Sequence, residues 1–260
     1  MTPLLINEAQ MLQWVAAFFW PFVRIGGMLM TAPIFGSKAT SVRVRLISSL
    51  ILTLVIAPLV PVPAMPELFS SAWFLILVTQ LGIGVIMGFV LQMVFESVVM
   101  AGELIALGMG LSFAQLADPL RGVSTGVLGQ FFLLLATLLF LAMHGHLAIV
   151  TSLVESFRLM PVGSLTLSVD SALLIVEFGG RMYLSALQIA LPAVISLLLV
   201  NMAFGVISRA APTLNPIAVG FPITLTLGYL VLQFTLSPLS DGFSAMLERG
   251  WQLISTILGG

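Results

Sequence analysis

The 260-residue sequence contains no cysteine, which excludes disulfides and thiolate metal sites. Charge is scarce: Lys, Arg, Asp and Glu make up 7% of the residues, where a soluble domain carries roughly a quarter. The formal net charge is -1 and the nine Lys and Arg form no basic block, so nothing points to nucleic acid or an acidic ligand. No G-x-x-x-x-G-K-[ST] string occurs to cradle a nucleotide phosphate. No Lys or Arg precedes the first apolar run, that run contains Arg24, and no small-residue cleavage pattern follows. The mature chain is therefore expected to begin at Met1.

What is abundant is apolar. Hydrophobic residues make up 60% of the chain and the mean hydropathy is +1.19. These values describe a polytopic, all-α membrane protein. At about 20 apolar residues per span, six runs are expected, near 12–33, 44–62, 72–95, 127–150, 184–207 and 217–237, within a single domain over 1–260. Turn residues separate them: Pro33 and Gly36, then Pro58, Pro61, Pro63 and Pro66, then Pro161 with Gly163. If all six cross, one side collects Lys38, Arg43, Arg45, Arg121 and Arg209, and the other Arg158, Arg181 and Arg249. That bias puts the first side inside and the N-terminus outside.

Several runs are poor lipid-facing helices. Arg24 lies mid-run, Pro21, Pro192 and Pro222 interrupt theirs, and Glu96 and Glu103 sit at and just beyond the end of the third. A charge at the bilayer centre costs about 2.5–3.5 kcal/mol on insertion scales. Arg24, Glu96 and Glu103 are thus expected to face protein or water. Glu96 and Glu103, seven apart, share a face of a continuous helix; they would relay protons, pair with Arg24 or Arg121, or accept backbone hydrogen bonds. Gly84 and Gly88 form a small-xxx-small pair that lets two backbones meet, within the chain or against another subunit.

Two motifs suggest chemistry and lack its context. Gly122 to Gly126 matches G-x-S-x-G around Ser124, but both histidines follow too soon for the hydrolase arrangement. His144 and His146 are two apart, which on a helix points them to different faces, and no carboxylate completes a cluster before Glu155. No catalytic, cofactor or metal site is expected, and the chain is not read as an enzyme.

The stretch from Ala101 to Gly126 cannot be a simple span. Its glycines at 102, 108, 110, 122 and 126 permit turns and close approach, while Leu107, Met109, Leu111, Phe113 and Leu116 keep it apolar. Non-helical backbone at membrane depth survives only inside protein or lining a cavity. A loop over about 106–122 could obstruct a pore, with methionine sealing against variable surfaces. From Asp241 to 260 the chain is amphipathic, with Phe243, Met246, Leu247, Trp251, Ile254, Ile257 and Leu258 at helical spacing. It would lie at the membrane interface or dock on a partner.

Particular strings then matter together: Phe22-Val-Arg-Ile-Gly26, Ala32-Pro-Ile-Phe-Gly36, Arg43 and Arg45, Ala101-Gly-Glu, Gly108-Met-Gly-Leu-Ser-Phe113, Asp118-Pro119, Gly145-His146, and Arg209-Ala-Ala-Pro-Thr-Leu-Asn215 through Gly220-Phe-Pro222. In this order and spacing they resemble the FliR family of bacterial flagellar export-gate proteins, over nearly the whole length. The resemblance implies kinked helical hairpins of the FliP/FliQ/FliR type and one copy of the chain in a conical hetero-oligomer with FliP-like and FliQ-like subunits. That assembly would sit in the bacterial inner membrane at the flagellar basal body, in contact with membrane lipid. FlhA-like and FlhB-like export components and unfolded flagellar substrates would be further partners. The resemblance also makes Leu107, Gly108, Met109, Gly110, Leu111 and Phe113 a channel plug, and allows hydropathy runs that do not cross the bilayer. The injectisome counterpart is a related alternative. A secondary transporter with Glu96 and Glu103 at a central site is the alternative from another class.

Overall fold

A computed structural model of the chain describes residues 8–37, 40–61, 66–111, 126–164, 169–210 and 216–259. Among the described residues there are seven α-helices: α1 (Glu8–Thr31), α2 (Val42–Ile56), α3 (Ser71–Gly108), α4 (Val127–Ala142), α5 (Gly145–Leu159), α6 (Val169–Ala210) and α7 (Pro216–Gly259). One 3-10 turn, Ala57–Leu59, follows α2, and no strand occurs among the described residues. The chain is an all-α membrane protein. Among the described residues five helices are long and apolar enough to cross a bilayer, or six spans if α4 and α5 form one broken span.

Three helices outrun the sequence expectation. α3 continues past residue 95 to Gly108, the segment before 184 joins the fifth run in the 42-residue α6, and the sixth run continues through the amphipathic C-terminus as the 44-residue α7. In α6 the physical reason is that the polar residues ahead of 184 sit on exposed helix positions. Asp170, Glu177 and Arg181 project from α6 without ending it, so Arg181 belongs to no connection and leaves the count of loop charges. The fourth run is shorter than expected. α4 ends at Ala142, His144 takes a left-handed conformation (φ 57°), and α5 starts at Gly145. Histidine is among the few non-glycine residues enriched in that region.

The helices belong to two compact units. The first comprises residues 1–92, 143–176 and 249–260. Its core joins Trp20, Ile25, Met28 and Leu29 of α1 with Ile83 and Met87 of α3 and Leu153 and Phe157 of α5. Phe19, Trp20 and Trp73 form an aromatic cluster, with Phe19 stacked on Trp73 at 5.8 Å. After α1 the chain reverses through Ala32–Gly36, closed by the Gly36 N–H on the Ala32 carbonyl at 2.7 Å. Arg45 Nε donates to the Phe35 carbonyl at 3.0 Å, so this arginine ties α2 to the turn.

The second unit comprises residues 93–142 and 177–248. Phe95 lies edge-on to both Phe140 and Phe243, each at 5.4 Å, with Phe132, Ala190 and Leu197 also fully buried. Small residues on α6 (Ala186, Ala190, Ala193) are fully buried, as expected where membrane helices pack without a hydrophobic driving force between them.

Candidate functional site

Three places carry the residues singled out from the sequence. The first is Arg24, fully buried in the first unit. Its guanidinium donates through Nε (2.8 Å) and Nη2 (2.5 Å) to Gln80 Oε1 on α3, through Nη1 to the Ser156 carbonyl (2.7 Å) and Ser156 Oγ (3.1 Å), and through Nη2 to the Met160 carbonyl (2.8 Å). It also stacks on the Phe157 ring at 4.0 Å. The five N–H donors of a guanidinium are thus matched by five hydrogen bonds. Two acceptors are buried carbonyls at the C-terminus of α5, where helix geometry leaves oxygens short of donors and a cation is favoured; the Ser156 carbonyl also accepts the Met160 N–H at 3.0 Å. Arg24 therefore caps α5 from α1 while gripping α3. Its acceptors are all neutral, and Gln80 is the partner that sequence reasoning missed. A lone glutamine in the run Leu75–Val85 was the available signal.

Arg24 can occupy that position because α1 and α3 touch backbone to backbone. A Cβ added at Gly84 would coincide with the Arg24 carbonyl oxygen and lie 2.8 Å from the Met28 nitrogen; one added at Gly88 would lie 2.7 Å from the Ala32 nitrogen. The small-xxx-small pair thus serves packing within the chain.

The second place is Glu103, half-buried on α3 in the second unit. Its Oε1 accepts the Gly126 N–H, the residue immediately before α4, and a Cβ at Gly129 would strike the same carboxylate. A carboxylate at a helix N-terminus meets unsatisfied N–H groups and the positive end of the helix dipole. Of the roles open to Glu103, backbone acceptance is the one observed. Glu96 is on the same helix, yet it stands at an exposed position. Among the described residues no group of three or more His, Asp or Glu could hold a metal.

The third place is the end of α3. Leu107 is 63% exposed, whereas Met109 is buried and lies against Gly228 of α7. Asn201 Nδ2 donates to the Gly108 carbonyl at 3.2 Å. Gly110 turns the chain with φ 78°, and Leu111 follows, half-buried. Phe113 and the rest of the 112–125 segment, including Ser124, lie outside the described residues.

The family model for bacterial export proteins, family 1, matches residues 15–250. Among curated relatives, flagellar biosynthetic protein FliR of Pectobacterium carotovorum subsp. carotovorum is 38% identical over 255 residues, covering 98% of this chain and 97% of the relative. FliR of Escherichia coli (strain K12) is 38% identical over 92% of this chain and 90% of its own. FliR of Bacillus subtilis (strain 168) is 27% identical over 83% and 84%.

Proposed function

Because the chain belongs to the FliR family of bacterial export proteins, and is thus a membrane-embedded component of the flagellar export apparatus, we propose that it is a core structural and gating subunit of the export channel. In this reading it joins FliP-like and FliQ-like subunits in the bacterial inner membrane, meets FlhA-like and FlhB-like components, and forms part of the passage for unfolded flagellar proteins. It is not an enzyme in this role.

One observation carries the proposal: within the second unit α6 keeps a long exposed apolar stripe. Leu184, Leu187, Leu191, Ile195, Leu198, Met202 and Val206 recur at helical spacing and are all exposed. Such a face suits close packing by neighbouring apolar helices. FliP-like and FliQ-like helices are the cover that the family supplies.

The plug role is part of the same proposal. Leu107, Gly108, Met109, Gly110 and Leu111, with Phe113, would seal the closed channel at the end of α3. The exposed Leu107 and the Gly110 turn suit a segment that leaves its helix to meet other subunits.

Photo-crosslinking in cells tests the covering. A benzoylphenylalanine at Leu198, Met202 or Val206 is expected to yield adducts with the FliP-like or FliQ-like chains, and one at buried Ala193 is not. Absence of protein adducts from all three exposed positions would contradict the proposal.

A further inference from the structure

A cleft of about 380 Å³ lies within the first unit between one face of α5 (Ala148, Thr151, Ser152, Glu155, Ser156, Leu159) and one face of the C-terminal turns of α7 (Trp251, Ile254, Ser255, Leu258). We propose that it binds a zwitterionic aminophospholipid of the phosphatidylethanolamine type, its ammonium on Glu155, its phosphate beside Arg158, and an acyl chain against Trp251, Ile254 and Leu258.

The cleft's polar chemistry selects a donor. Thr151 Oγ1 donates to the Ala148 carbonyl (3.0 Å), Ser156 Oγ to the Leu153 carbonyl (2.7 Å) and Ser255 Oγ to the Gln252 carbonyl (2.8 Å). Their hydroxyl protons are spent within their own helices; the Ser156 oxygen is further occupied by Arg24 Nη1, which leaves the oxygens of exposed Thr151 and Ser255 as acceptors toward the cleft. Beside them stands the Glu155 carboxylate. A group with several N–H donors and a positive charge fits this wall, and a primary ammonium has three. Charge-assisted bonds of this kind are the stronger class.

The neighbouring charge suits the other half of the headgroup. Arg158 Nη1 lies 3.7 Å from Glu155 Oε2, beyond hydrogen-bond length, and both side chains are more than half exposed. Such a loose surface pair contributes little by itself, so both ends are available. A cation site and an anion site one helical turn apart match a headgroup that carries both charges.

The setting favours lipid over a protein helix. Both walls are amphipathic: α5 buries Ile149, Leu153 and Phe157 and exposes Thr151, Glu155 and Arg158, and the last turns of α7 bury Ile254, Ile257 and Leu258. Helices with this division lie at the interfacial level, where tryptophan is enriched. Trp251 is half-exposed there, and α5 ends into the Pro161–Ser164 turn just after Arg158. Headgroups are the abundant ligands at that depth.

Native mass spectrometry of the detergent-extracted full chain with its partner subunits tests the site, using phosphatidylethanolamine, phosphatidylcholine and phosphatidylglycerol with identical acyl chains. The choline headgroup keeps the charge and lacks N–H donors; the glycerol headgroup lacks the cation. Ethanolamine lipid is expected to be retained about tenfold better than choline lipid. Glu155→Gln should bring it down to the choline level, and Arg158→Gln should weaken both alike. Ser255→Trp, at an exposed position, should fill the cleft and abolish retention of all three. Equal retention of ethanolamine and choline lipid by the wild type, or an unchanged preference in Glu155→Gln, would overturn the proposal. The same spectra show whether the partner subunits are bound, so failure of this site is distinct from failure of the assembly reading.

Discussion

Arg24→Met is expected to leave membrane insertion intact or improved while abolishing stable packing of the first unit. The two effects have opposite signs. Removing a charge from the α1 run relieves about 2.5–3.5 kcal/mol on insertion scales. In the folded chain, however, Gln80 Oε1 and the Met160 carbonyl lose the Arg24 donor while staying enclosed, and the Ser156 carbonyl keeps only the Met160 N–H. Leaving buried acceptors without partners costs about 1–3 kcal/mol each. Thermal unfolding in detergent should show a large fall in midpoint at normal membrane levels. Arg24→Lys should recover only part of it, because one ammonium cannot span acceptors on two helices as a planar fork does. An unchanged midpoint in Arg24→Met would contradict the capping role.

Gly84→Ala should have an effect of similar kind from a change of one methyl group. The added carbon meets the Arg24 carbonyl and the Met28 nitrogen, which are backbone and cannot swing aside. The helices must separate, at a cost at or above the upper end of the about 1–3 kcal/mol typical of overpacking. Separation also draws the Arg24 guanidinium away from Gln80, so Gly84→Ala and Arg24→Met should be strongly non-additive. Gly82→Ala and Gly26→Ala are the controls, since nothing lies within 4 Å of a Cβ at either position. Thermal midpoints of the four variants and one double variant settle the matter. Equal losses at Gly82 and Gly84 would show that the close approach is not what holds α1 to α3.

These two sites show what a sequence makes visible and what it hides. Scarcity of charge and long apolar runs were enough for the class. The cost of a charge in hydrocarbon was enough to turn Arg24 inward, and the four-residue glycine spacing marked a backbone contact. The partners of Arg24 were hidden because they are neutral and distant, 56 residues away at Gln80 and 132 at Ser156. Opposite charge is the pairing signal a sequence displays, and here there is none. Glu96 and Glu103 show the same limit from the other side. They share a helix and a seven-residue spacing, but that Glu103 meets the start of α4 while Glu96 stands at an exposed position is a fact of tertiary structure. The boundaries of α6 were obscured because Asp170, Glu177 and Arg181 lower the hydropathy ahead of the fifth run, although they only decorate an exposed face. The break at His144 was obscured in turn because one left-handed residue inside an apolar run leaves hydropathy unchanged.

The strings that matched the export-gate family were legible for a different reason. They follow order and spacing along the chain, and the family match over residues 15–250 confirms that resemblance. Physics alone reached an all-α membrane chain whose few charged groups turn away from lipid.

The most direct measurement is the native mass of the detergent-extracted chain, produced alone and together with FliP-like and FliQ-like subunits from the same source. The account predicts that one copy enters a stable hetero-oligomer and that the chain alone, with its α6 stripe uncovered, aggregates or is degraded. A chain that is stable alone or as a small homo-oligomer, and that ignores those subunits, would contradict it.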